Sequence, residues 1–296
     1  MMTHHFSRML TIFLTALICC TANASAEEYQ TLAVISDPKI NESSGLAISR
    51  NHPQCVWIHN DSGAKPVLHL VGYDGETKAV VKITGADALD WEDMCSFEIN
   101  GQSWLLIADI GDNLEKRSLK KRACRLYLVK EPRVPRANGL PTISWPVTSV
   151  ISFEFEDGPH NSESVAVDTD TKEILLLTKK LPHKCGLYSL PLNINQPNQS
   201  ITAKRIASPF ILYATAIDIS PDNTTLAICT MLNGVIVRRS PNQTWKAACK
   251  GTATSFMLPP RRQGETICFE QDSKHLLLNS EMPKQPMYRL AAPKSK

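Results

Sequence analysis

The sequence predicts an all-β fold, a β-propeller, from two observations. Five times along the 296 residues a short acidic or hydroxyl-bearing strand start leads into an apolar run, a polar turn and a second apolar run. The starts are Asn41–Ile48, Asp90–Met94, Asn161–Asp168, Ala214–Ser220 and Gly264–Phe269, and counting from Glu42 to Glu92, Glu163, Thr215 and Glu265 gives steps of 50, 71, 52 and 50 residues. Periods of about 40 to 50 residues, each holding several short strands, mark radial four-stranded blades. Five blades are expected, with room for a sixth in the enlarged second repeat or across residues 191–214.

The first 26 residues stand apart from this pattern. His4, His5 and Arg8 precede an apolar stretch from Met9 to Cys20, and Ala24-Ser25-Ala26 forms an A-x-A cleavage signal, the composition of a secretory signal peptide. The chain is therefore expected to be exported, periplasmic or extracellular, with residues 27–296 forming one propeller domain. No later segment reaches the run of about 20 apolar residues that a membrane span needs. The formal net charge of +3 is too small to point to a nucleic-acid partner, and a monomer is expected. Seven cysteines follow the leader, and an oxidising compartment permits disulfides, with Cys229–Cys249 or a pairing to Cys268 among the possibilities.

The first repeat reads as strands at Gly45–Ile48, Cys55–His59, Val67–Val71 and Ala79–Ile83. They are separated by Asn60-Asp61-Ser62-Gly63 and Tyr73-Asp74-Gly75, turns in which Asn, Asp and Gly supply special backbone angles. The second carries Met94–Ile99 and Trp104–Ile110 around Asn100-Gly101, a strong hairpin signal. Its later strands are Arg125–Val129 and Val150–Phe155, and the intervening Pro132, Pro135, Pro141 and Pro146 predict an irregular excursion. The third and fourth repeats offer three apolar runs each. The fifth is one strand short, and Tyr29–Ile35, which stands alone before the first repeat, is expected to complete it and close the ring.

Three polar sets are candidate sites. Asp109-Ile110-Gly111-Asp112-Asn113 gathers oxygen donors of the kind calcium takes. Glu42, Glu92, Glu163 and Glu265, with Asp90 and Asp218, recur near repeat starts; converging on the axis, they would raise one another's pKa or recruit a cation. Alternatively, each acts as a clip on a neighbouring blade's backbone. Asp61 joins Asp90 and Asp218 as a candidate ligand contact. His59 and His160 sit in similar His-Asn clusters, although no GxSxG elbow anchors a hydrolase triad. Lys116–Arg122 is the one dense basic run and a possible phosphate grip.

Glu42–Ala47, Trp57–Gly63, Asp90–Met94 and Ile107–Asn113, followed by Asn161–Asp168, Thr178-Lys179 and Gly264-Glu265, resemble a family of exported, largely uncharacterised bacterial propellers. The resemblance covers most of residues 40–282. More distantly the chain is similar to SdiA-regulated, esterase-like and phytase-like propellers, some of which hold Ca²⁺ in acidic loops. Thr215 departs from the glutamate pattern. The resemblance implies the fold and carries no settled activity; taken with the acidic sets above, the expectation is a propeller binding a ligand or protein partner at one channel face, with structural Ca²⁺ on Asp109, Asp112, Glu42, Glu92, Glu163 and Glu265. The alternative is a metal-dependent hydrolase of a phosphoester, lactone or ester using Glu92, Glu163 and His160, with Asp109 helping to hold the ion. A scaffold without metal is the third reading.

Overall fold

The structure, a computed structural model, describes residues 29–135 and 137–294; the expected leader and the start of the mature chain lie outside them. The described chain is all-β, with 21 strands and one four-residue helix. β1 (Tyr29–Val34) comes first. β2 (Ser43–Ile48), β3 (Cys55–Asn60), β4 (Val67–Gly72) and β5 (Thr77–Thr84) form an antiparallel run, the first sheet.

β6 (Trp91–Ile99), β7 (Gln102–Asp109) and β8 (Cys124–Lys130) begin the second sheet. Asn100 and Gly101, at φ 53° and 72°, make the tight hairpin between β6 and β7, the geometry that an Asn-Gly pair favours. β9 (Thr142–Pro146) then leaves this sheet and adds in parallel to β5. The proline-rich excursion thus contains a strand, contrary to expectation. Proline is tolerated because β9 lies at an edge, where a missing N–H donor breaks no ladder.

β10 (Ser149–Phe155) returns to pair with β8. The third sheet is β11 (Ser162–Asp168), β12 (Glu173–Thr178), β13 (Leu187–Pro191) and β14 (Asn198–Ala207), and β14 runs parallel to β10, fusing the second and third runs into eight strands. Residues 191–214 therefore complete this sheet. The fourth contains β15 (Ala214–Ile219), β16 (Thr225–Thr230) and β17 (Gly234–Arg238), then α1 (Trp245–Ala248) capped by Thr244, then β18 (Thr254–Phe256). β19 (Cys268–Phe269), β20 (His275–Leu278) and β21 (Pro286–Ala291) form the fifth, and β1 pairs antiparallel with β21 as its fourth strand.

The first strands of the five runs pack on one another, β2 on β6, β6 on β11, β11 on β15, β15 on β19 and β19 on β2. Apolar clusters fill the spaces between successive sheets, for example Leu106, Phe153 and Leu176 between the second and third, and Leu175, Ile217 and Ile228 between the third and fourth. Burying apolar area on both faces of each sheet is the main favourable term. It also explains the cysteines. Cys229, Cys249 and Cys268 pack in three different clusters, and all seven cysteines of the described residues are thiols. The expected disulfides are absent from the described residues. No helix among those residues is long and apolar enough to cross a membrane.

Candidate functional site

The site originates in a backbone irregularity repeated in four of the innermost strands. In β2 the pairing jumps from Ser43–Asn60 to Gly45–His59, in β6 from Trp91–Asp109 to Asp93–Ala108, in β11 from Ser162–Thr178 to Val165–Leu176, and in β15 from Ala214–Thr230 to Ala216–Cys229. Each jump is a β-bulge, with one extra residue in β2, β6 and β15 and with Glu163 and Ser164 set against Leu177 in β11, and a bulge re-aims the side chains it carries. The equivalent bulge residues are Ser44, Glu92, Glu163 and Thr215. Glu42 lies two positions earlier and is exposed, so the sequence repeat misplaced it by two. Ser44 occupies that position, and its hydroxyl donates to the Glu92 carbonyl.

Asp61, from the loop after β3, Asp90, ahead of β6, and Glu92 each bring a carboxylate oxygen to within 4.8 Å of the others. Gly111 makes this approach possible, since a β-carbon there would collide with Glu92 Oε1 and Asp90 Oδ2. Asp61 Oδ1 is buried and accepts no hydrogen bond. Burial, together with the carboxylates of Asp90, Glu265 and Glu42, pushes Asp61 up to about 6. Burial and then the charges of Glu163, Asp61, Asp90 and Glu265 hold Glu92 well above the ordinary range. Burial also raises Asp90, with Arg117 pulling the other way.

A second tier flanks this trio. Lys179, just past β12, ion-pairs with Glu163 and lies 3.6 Å from Glu265. Asn161 donates to Glu163 at 3.3 Å, and burial raises Glu163 to about 7 against the pull of Lys179. Glu281 is pushed to about 9, by burial first and then by its hydrogen bond and charge contact with Glu265. The arrangement brings acids from the first, second, third and fifth sheets to one end of the packed inner strands.

The other expected site residues are engaged elsewhere. Asp109 forms a buried ion pair with Arg117 at 2.8 Å, and Asp112 accepts the Arg117 backbone N–H at 2.7 Å. Arg117 also donates to the carbonyls of Gly111, Arg122 and Ala123. The expected calcium loop is thus a loop closed by arginine, and its two carboxylates are already satisfied. Of the basic run, Arg117 turns inward while Lys116, Lys120, Lys121 and Arg122 stay exposed, so the run does not act as one grip.

Asp218 does not join Asp61 and Asp90. Its oxygens accept the N–H groups of Ile219 at 2.9 Å and Phe269 at 2.7 Å, and burial raises it to about 7. His160 bonds Asp157 at 2.9 Å and packs edge-on against Phe155. His59 is fully buried against Trp91, and burial lowers it to about 4.

Sequence reasoning missed three participants: Asp93, Lys179 and Glu281. Asp93 is fully buried and accepts from Met94 and Val165, both at 2.8 Å, and from Ile217 at 3.3 Å. It ties the second sheet to the third and fourth. The Asp90-Trp91-Glu92-Asp93 run was its available signal, but no local pattern separates a carboxylate that meets N–H groups from one that meets other carboxylates.

No known protein family matches the sequence, and no curated relative is similar to it. Among solved structures, the chain is similar to a PQQ-bound aldose sugar dehydrogenase from Streptomyces coelicolor. The TM-score is 0.48 at 8% identity, over 89% of this chain and 98% of that one. It is also similar to Kuenenia stuttgartiensis hydrazine synthase, with TM-score 0.42 and 9% identity, covering 80% of this chain and 61% of that one.

Proposed function

We propose that this chain is an exported five-bladed β-propeller, its ring closed by β1, and that the acid-lined end of its inner strands holds a divalent cation through which a ligand or protein partner binds. The cyclic packing of β2, β6, β11, β15 and β19 and the pairing of β1 with β21 support the five-bladed reading. The observation that carries the site is the approach of Asp61, Asp90 and Glu92 oxygens within 4.8 Å of one another. Like charges at that distance are unfavourable unless a proton or a cation relieves them.

The donors fit calcium, which takes six to eight oxygen ligands in flexible geometry. Asp61 contributes an oxygen with no other partner, and the space left open by Gly111 lets Asp90 and Glu92 converge. Bound there, the ion would supply positive charge that attracts oxygen-bearing ligands. Lys179 holds Glu163 and Glu265 at the edge of this set, limiting its negative charge. Asp109 and Asp112, committed to Arg117, are not part of the proposed ligand set.

The test is calorimetric titration of the chelator-treated protein with CaCl₂ and MgCl₂. Saturable calcium binding that is lost in Asp61→Asn is the expected result, and no heat of binding from either cation would reject the proposal. One observation favours the hydrolase as a second reading: Glu163, at about 7, is poised to accept a proton from water at neutral pH. Calcium-dependent turnover on a panel of phosphoesters, lactones and esters, lost in Glu163→Gln, would establish it; binding without turnover leaves the first reading.

A further inference from the structure

A cavity of about 300 Å³ opens between the fourth and fifth sheets, beside the acidic end but with different chemistry. Its walls are Met231 and Leu232 from the turn after β16, and Leu258, Pro259 and Pro260 from the segment before β19. Met231 and Leu232 are 62% and 72% exposed, a large apolar surface for two adjacent turn residues. Arg261 lies in the same cavity.

The Arg261 guanidinium is short of partners. Its Nε is buried and makes no hydrogen bond. One of its terminal nitrogens reaches only the Cys229 sulfur at 3.4 Å and the Thr266 carbonyl at 3.5 Å, both longer than a strong charge-assisted bond of about 2.7 to 2.9 Å. No ion pair involving Arg261 or Arg262 occurs among the described residues. The carboxylate that borders the cavity, Glu265, faces Lys179 at 3.6 Å and the Gln263 amide at 3.1 Å. A half-buried guanidinium without a counter-charge, walled by aliphatic side chains, matches an anion that carries an apolar tail.

We propose that this cavity binds a carboxylate with an aliphatic chain, its head group paired to Arg261 in the two-pronged manner of arginine–carboxylate contacts and its tail on Met231, Leu232 and Leu258. The site is separate from the cation site: one recruits positive charge through Asp61, Asp90 and Glu92, the other negative charge through Arg261. Either proposal can fail without the other.

Titration calorimetry with octanoate, and with octanol and octylammonium as neutral and cationic controls, tests the assignment. Octanoate is expected to bind more tightly than either control, with Arg261→Gln weakening it at least about tenfold, the loss of one charge-assisted contact, and Arg261→Lys restoring part of the affinity. Met231→Glu, at an exposed turn position where folding is unaffected, is expected to weaken octanoate by a similar factor with the melting temperature unchanged. Equal binding of octanoate and octanol, unaltered octanoate affinity in Arg261→Gln or in Met231→Glu, or no octanoate binding would each overturn the proposal.

Discussion

Asp93 and Asp218 are buried as deeply as Glu92, yet the two groups of acids do opposite things. Asp93 takes three backbone N–H groups from three sheets, and Asp218 takes two from the fourth and fifth. Asp61, Asp90 and Glu92 meet mainly one another. A carboxylate surrounded by donors is a clip, stable without any ligand. A carboxylate surrounded by carboxylates stores repulsion, released only by a proton or a cation. What separates the two sets is the identity of the nearest polar atoms rather than burial.

The comparison breaks most sharply at Asp93. Asp93→Ala leaves three buried N–H groups without an acceptor, and at one to three kcal/mol for each such group a loss of about 4 kcal/mol is expected. Urea denaturation measures it, and a loss under about 1 kcal/mol would mean that Asp93 is no clip. Glu92→Gln should do the reverse. Where the acids are ionised it removes a like charge and raises stability by about 1 kcal/mol, the scale of one unit of pKa shift, while abolishing the calcium-dependent rise in melting temperature. As pH falls and the acids take up protons, the difference in melting temperature between variant and parent should shrink.

The pH dependence follows with a definite sign. Asp61 at about 6 and Glu163 at about 7 lie above the ordinary carboxylate values of about 4, so the folded state binds protons more tightly than the unfolded chain. Their contribution to stability is complete below about pH 4 and is lost as pH rises through 6 and 7. His59, lowered to about 4, works the other way, losing its contribution as pH falls from about 6.5 to about 4. Calcium competes with the carboxyl protons, so scanning calorimetry should show a small calcium-induced shift at pH 5 and a large one at pH 8; a shift independent of pH would remove Asp61 and Glu163 from the linkage.

The smallest effect is expected at Glu42. Exposed and two positions from the bulge, it should tolerate Glu42→Gln with a change under about 0.5 kcal/mol and an unaltered calcium response. Loss of that response would restore it to the ligand set.

Much of the fold was legible because strands announce themselves locally. Asn100-Gly101 could form only a tight turn, apolar runs such as Trp104–Ile107 could only be buried, and Tyr29–Ile35 had no partner in its own repeat. β9 was not legible, since four prolines in its neighbourhood argue against a strand interior and only the free edge of β5 makes Thr142–Pro146 pair. In the site, Glu92, Glu163 and Glu265 could be found from their period. Asp109 and Asp112 read as calcium donors because nothing in the sequence shows that Arg117 folds back onto them. Glu281 lies outside the period and had no signal of its own, and Lys179 stood in the Thr178-Lys179 pair with nothing local to show that it meets Glu163.

The sequence by itself determined which segments become strands, how often they recur and that acids accumulate near the start of each repeat, because alternation, turn residues and spacing act over a few neighbouring residues. Only the tertiary structure decided which acids become clips and which face one another, and which arginine is paired and which is left without a counter-charge. Several of those outcomes depend on groups far apart in the chain, 48 residues for the Ser44 hydroxyl on the Glu92 carbonyl and 124 for the Ile217 N–H on the Asp93 carboxylate. Electrostatic and hydrogen-bond energies are set by distance in space, and the packing of the sheets through their inner strands fixes those distances.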